Sequence, residues 1–146
     1  MKKLELIRTS CDGHFTYGYL RMPDGEEFDT IEKLDRLHSE LLKPLMNLPA
    51  KTYFLKVLQN PVSLYFFFGF YLSGDYRHAA IYPTRPSQLR GGAISVQKEG
   101  WSEPEIASFF HDYIEEYFIE QGSMKVKKGD FQIEISYSPT FIVTKE

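Results

Sequence analysis

Cys11 and His14 lie three residues apart, and a thiol beside an imidazole can make a thiolate nucleophile. Such pairs are usually distant in sequence and joined by the fold, so Ser10-Cys11-Asp12-Gly13 reads first as an ordinary turn. The four histidines, His14, His38, His78 and His111, are scattered without HxH, HxxxH or HExxH spacing. That pattern argues against a metal site, and no cofactor is expected. Glu103, Glu105, Asp112, Glu115, Glu116 and Glu120 cluster late in the chain. Paired carboxylates can do acid–base work, but on an amphipathic helix they are more often its solvated face.

The stretch from Tyr76 to Lys98 is more informative. It carries Arg77, Arg85, Arg90 and Lys98 and no acid. Arg85 and Arg90 flank a loop ending in Gly91-Gly92. Consecutive glycines let backbone N–H groups converge on an anion, and arginine forks suit phosphate or carboxylate. The candidate binding set for an anion or acidic partner is therefore Arg77, Tyr82, Arg85, Arg90, Gly91 and Gly92. There is no GxxxxGK[ST], so the loop is not a P-loop.

The element that must position these residues is Leu64–Leu72, nine residues with six aromatic rings and no charge. It is too short to span a bilayer as a helix, which takes about 20 apolar residues. Asn60-Pro61 and Ser73-Gly74-Asp75 bracket it as a strand. A half-exposed strand alternates apolar with polar residues, and this one does not, so both faces need cover. Tyr65, Phe66, Phe67, Phe68, Phe70 and Tyr71 are accordingly a candidate interface, self-association included.

Around it the chain reads as strands with two helices. Lys3–Thr9 and Phe15–Leu20 form a hairpin, with Leu4 and Leu6 on one face. Ile31, Leu34, Leu37, Leu41, Leu42 and Leu45 predict a first helix from Asp29 or Thr30 to about Met46. Strands follow at Lys51–Leu58, Arg77–Tyr82 and Ala93–Val96. Ser102-Glu103-Pro104-Glu105 predicts a capping box opening a second helix, ended by Gln121-Gly122. Met124–Lys127 and Phe131–Tyr137 read as a C-terminal hairpin, with Phe141-Ile142-Val143 a short edge strand.

The 146 residues suggest one domain, 1–146. An apolar fraction of 42% and a charged fraction of 25% are those of a soluble globular chain. A net charge of −3 argues against a nucleic-acid coat. Cys11 is the only cysteine, which excludes an internal disulfide. Glu5 and Arg8 interrupt what a signal peptide would keep apolar, so the expected location is cytoplasmic, or outside a cell that made the chain in its cytoplasm and released it.

Several short pieces resemble a phage- and prophage-associated family, domain-of-unknown-function family 5675. They are Leu4-Glu5-Leu6-Ile7-Arg8-Thr9, Thr16-Tyr17-Gly18-Tyr19-Leu20, Thr30-Ile31-Glu32, Leu48-Pro49-Ala50-Lys51-Thr52-Tyr53, the Asn60-Pro61 turn, Ile81-Tyr82-Pro83 and Leu89-Arg90-Gly91-Gly92-Ala93-Ile94. The resemblance covers roughly residues 3–96. Family members tend to carry Ile-His-Pro and Gly-Cys-Ile at the last two places, a pairing similar to the His and Cys of L,D-transpeptidase-type enzymes. Here those places hold Tyr82 and Gly92 or Ala93, which cannot act as base and nucleophile.

The expected fold is α+β: a mixed, mainly antiparallel sheet, barrel-like in one form, with two amphipathic helices. The expected function is a non-enzymatic phage or mobile-element protein acting on a protein partner, as a virion component or an inhibitor of a host or defence protein. The alternative is a binder or enzyme for a small anionic ligand, a nucleotide or cell-wall fragment, as a degenerate L,D-transpeptidase-like domain. That alternative predicts a concave pocket lined by Tyr82, Arg85, Arg90 and the aromatic strand; the first reading predicts a flat apolar patch with a charged rim. No membrane partner is expected.

Overall fold

The computed structural model describes residues 1–33, 48–72, 79–89 and 92–144. Eight strands run in the order β1 (Lys2–Cys11), β2 (Phe15–Arg21), β3 (Glu27–Lys33), β4 (Thr52–Gln59), β5 (Phe66–Phe70), β6 (Ala80–Tyr82), β7 (Ile94–Gln97) and β8 (Phe131–Val143). One helix, α1 (Glu103–Gln121), falls between β7 and β8. The strands close into a barrel in the order β1-β2-β3-β7-β6-β5-β4-β8. The β1–β8 and β6–β7 pairs are parallel and the others antiparallel.

Period-two alternation fills the interior. Leu4, Leu6, Phe28, Leu55, Phe68, Phe70, Ile81, Ile94, Val96, Phe131, Ile133 and Ile135 are all buried. An eight-stranded barrel is just wide enough for such side chains to fill it. Closure also removes the edges that a long aromatic strand would otherwise expose.

Helix α1 lies across the end where β3, β5 and β8 begin. Ile106, Phe110, Ile114 and Phe118 recur every four residues as its buried stripe. The Phe110 ring meets Phe28 at 5.3 Å and Phe68 at 6.4 Å, and Tyr117 meets Phe131 at 4.7 Å. The capping box forms as expected: Ser102 Oγ accepts from the Glu105 N–H, and Glu105 accepts from the Ser102 N–H. Gly122, at φ +70, ends the helix in the left-handed region where glycine is unstrained.

Two local expectations are corrected. Residues 30–33 belong to β3, not to a helix: Phe28, Thr30 and Glu32 point inward with strand periodicity, and Ile31 does not. The rest of that expected helix, residues 34–46, lies outside the described residues. The C-terminal hairpin is also absent. Lys127 and Asp130 close a turn (Lys127 N–H to Asp130 Oδ2, 2.8 Å), and residues 131–143 form one irregular strand. Its partners are β1, more than a hundred residues earlier, and β4, so no neighbouring hairpin signal applies.

Tyr113 of α1 yields a pH prediction. Its hydroxyl is buried with no hydrogen-bond partner. Burial first, then the charges of Asp24, Glu120 and Glu116, push its pKa up from 10.0 to about 12. The folded state therefore favours the neutral phenol. Between those two values the unfolded chain ionises this residue and the folded chain does not, so stability falls as pH rises through the window. Tyr113→Phe is expected to lessen that loss and leave stability near neutral pH unchanged or slightly higher. Urea midpoints for both proteins at about pH 9 and pH 11.5 check it; an identical alkaline loss in the two would refute it.

Candidate functional site

Inside the barrel one layer is polar. Arg8 continues the inward row of Leu4 and Leu6, and Glu32 continues that of Phe28 and Thr30. Arg8 is 0% and Glu32 3% exposed. Arg8 donates from Nε to Glu32 Oε2 at 2.9 Å and from Nη2 to Oε1 at 2.7 Å. Its Nη1 donates to the Tyr137 hydroxyl at 3.2 Å. Burial opposes the Arg8 charge, but the hydrogen bonds to Glu32 and its negative charge outweigh that, holding the guanidinium above the ordinary arginine range. The two charges are spent on each other, so the pair is structural.

Of several open clefts of similar size, the one lined by the aromatic strand lies outside the barrel, between β5, β6 and the first half of α1. It is a cleft of about 290 Å³ lined by Asn60, Ser63, Tyr65, Phe66, Phe67, Ile81, Tyr82, Pro83, Ala107 and Phe110. The Phe67 and Tyr82 rings meet edge to face at 6.2 Å. His111 fixes the helix side: its ring stacks on Tyr65 at 4.9 Å and on Phe66 at 5.2 Å, and Nδ1 accepts the Phe66 N–H at 3.0 Å. With Nδ1 accepting, the proton of the neutral ring sits on Nε2, 3.4 Å from Glu115.

A rigid turn forms the cleft's end. Asn60 Oδ1 accepts from the N–H groups of Val62 (2.8 Å) and Ser63 (3.1 Å). The Leu64 N–H donates to the Asn60 carbonyl at 2.8 Å, and Gln59 Nε2 donates to the Leu64 carbonyl at 2.9 Å. Leu64 is held at φ +66, the one described non-glycine residue with positive φ.

The other wall leads into the loop after β6. Ser95 Oγ donates to the Thr84 carbonyl at 2.7 Å and accepts the Thr84 N–H at 3.2 Å, while Gln97 Nε2 also reaches that carbonyl at 2.9 Å. The loop is thereby pinned to the sheet, and Arg85 stands exposed beyond it. The parallel register pairs Ile81 with Ile94 and Tyr82 with Ser95, so Tyr82 lies in β6 while Gly92 and Ala93 lie in the turn that leads into β7. Ala93 is buried and its side chain offers no reactive atom.

The expected sites thus divide. Tyr65, Phe66, Phe67 and Tyr82 converge on the cleft. Phe68 and Phe70 are 0% and 3% exposed and belong to the core, so they leave the interface set: alternate residues of a strand face opposite ways. Tyr71 is elsewhere, with Lys56 and Lys128 over its ring. Gly92 is buried at φ +87. Arg77, Arg90 and Gly91 lie outside the described residues.

Cys11 ends β1, paired with Thr16 and Val143. The turn after it is organised by Asp12, which accepts from the His14 and Phe15 N–H groups and the Tyr17 hydroxyl. Those bonds hold the Asp12 carboxyl below its usual range, the His14 N–H first. The six acids of α1 are on its exposed face. Among the described residues no group of three or more His, Cys, Asp or Glu could hold a metal ion, and no helix is long and apolar enough to cross a membrane. Sequence reasoning missed His111 and the Arg8–Glu32 pair. The second had half a signal: Arg8 continues the apolar row of Leu4 and Leu6, whereas Glu32 follows the polar Thr30 and carries none.

No family model, no curated protein and no solved structure matches this chain.

Proposed function

We propose that the protein is a non-enzymatic interaction protein whose cleft between β5, β6 and α1 seats an apolar side chain of a protein partner. The site is a cleft lined by Tyr82 and the aromatic strand, the shape expected of a small-ligand site and not the flat patch expected of an interface. What supports a protein partner is the character of its lining, tyrosine and phenylalanine rings on a fixed frame with Arg85 outside it. Aromatic anchors of this kind dominate binding energy at protein interfaces. The cleft's volume is at the bottom of the range for small-molecule pockets, about 300–1,000 Å³. Its described lining holds no cation, which an anionic nucleotide would need. The resemblance over residues 3–96 supports an origin in a phage or mobile element, with the protein acting in the host cytoplasm or a virion as an assembly component or an inhibitor of a host or defence protein.

Panning a random peptide library on the folded protein tests the reading. Selected peptides are expected to share an aromatic or long aliphatic anchor. Ala107→Trp, which fills the cleft from its helix wall, is expected to weaken them at least about tenfold with little change in melting temperature. Failure to select such peptides, or indifference to Ala107→Trp, would overturn it. So would a hydrolytic or acyl-transfer activity abolished by Cys11→Ala.

A further inference from the structure

We propose that His111 is a pH-sensitive latch: the second proton its ring takes up in mild acid releases β5 from α1 and loosens the cleft. This rests on the reading of the cleft as an interaction site and names what regulates it.

The latch closes a gap in the sheet. The β5–β6 ladder consists of Phe68 with Ile81 and Gly69 with Ala80. Before that point β5 and β6 form walls of the cleft. The Phe66 N–H lies beyond the ladder and donates to His111 Nδ1 at 3.0 Å, so an imidazole stands where a strand carbonyl would otherwise be. The His111 ring also stacks on Tyr65 and Phe66, at 26° and 10° between planes, and Phe66 meets Phe118 of the helix edge to face. These contacts tie the first residues of β5 to α1.

The hydrogen bond exists in one protonation state. Nδ1 accepts while the ring is neutral; in the imidazolium both nitrogens carry hydrogen and both donate. A second proton would set two N–H groups against each other across 3.0 Å. The ring must then turn from Phe66, and Glu115 offers it a partner: Oε2 lies 3.4 Å from Nε2, on a side chain 54% exposed.

The groups around the ring pull in both directions. On α1 the charged residue facing it is Glu115, one turn on, and a carboxylate favours the imidazolium. The faces of Tyr65 and Phe66 favour a cation too. Residues 60–70, which make the turn and β5, contain no Asp, Glu, Lys, Arg or His; Tyr65 brings the one phenol. From β4, Lys56 shares a separate cleft with Phe66 and sits over the Tyr71 ring at 5.9 Å. Favouring the neutral ring are its burial and the Phe66 N–H. A backbone group that shapes the cleft therefore opposes a proton that a carboxylate and two aromatic faces attract, and this couples pH to the cleft.

NMR of the full chain from about pH 5 to 8, where imidazoles change charge, tests this. The Phe66 amide resonance is expected to follow the titration of the His111 ring. Affinity for a peptide selected on the cleft at about pH 7.5 is expected to fall at least about fivefold by about pH 5.5, as the latched fraction falls. His111→Asn keeps an acceptor oxygen near the Nδ1 position and cannot titrate, so its affinity is expected to stay flat over that range. Glu115→Gln, outside the cleft lining, is expected to move both transitions to lower pH, because the imidazolium loses its counter-charge. The latch is overturned by a Phe66 amide that ignores the His111 titration, by an affinity that falls equally in His111→Asn, or by transitions that Glu115→Gln leaves in place. A peptide that binds in an Ala107-dependent way with a flat pH profile fells the latch alone. If no such peptide exists, the interaction site falls and its regulation with it.

Discussion

Arg8→Ala is expected to cost about 3–5 kcal/mol of stability, because it leaves the Glu32 carboxylate buried without its counter-charge. The pair is enclosed at 0% and 3% exposure, and two short parallel hydrogen bonds join it. Water cannot replace the guanidinium there as it would at a surface ion pair, where the loss is about 1 kcal/mol or less. Glu32→Ala is expected to cost a similar amount by stranding Arg8. Arg8→Met combined with Glu32→Leu is expected to recover most of the loss, since an apolar pair of similar volume has no charge to desolvate. Urea titrations of the three variants decide the matter. Two single variants within about 1 kcal/mol of wild type would mean that solvent reaches the pair.

The second large contrast lies between adjacent residues of β5. Phe68→Glu is expected to abolish folding. Phe68 is fully buried, with its ring 4.9 Å from Phe131 and 6.4 Å from Phe110, and an unpaired carboxylate there costs on the order of the whole folding free energy, about 5 kcal/mol or more. Phe67→Glu is expected to leave a folded protein, within about 1 kcal/mol of wild type, because Phe67 sits at the cleft against Tyr82. It should, however, lose peptide binding. Circular dichroism melts of both variants, with a binding assay on the second, check this. Unfolding of both would make β5 core on both faces and remove the cleft from any functional account.

Much of the architecture is legible in the residues, and the boundary follows the range of the interactions. The β1–β2 hairpin, β4, the aromatic strand and the capped helix α1 rest on local signals: alternation, turn residues and a capping box. The helix expected from Thr30 onward fails at its start because Ile31 opens an apolar stripe of helical spacing while the buried residues beside it, Thr30 and Glu32, are polar. A hydrophobicity pattern cannot see a buried ion pair. Its partner, Arg8, is 24 positions away and becomes inward-facing only through barrel closure.

The candidate site divides in the same way. The sequence by itself marks Tyr65, Phe66 and Phe67 as residues that need cover, because their aromatic run lacks polar alternation, and sets Tyr82 apart in an anion-binding group that the structure instead brings to the same cleft. Only the tertiary structure separates them from Phe68 and Phe70, since pleating sends neighbours to opposite faces and closure decides which face is interior. The tertiary structure also brings in His111 from 45 positions away to stack on Phe66 and fix the cleft's frame. Local sequence sets which backbone each segment prefers; the pairing of distant strands, including the parallel β1–β8 seam that closes the barrel, sets which side chains meet.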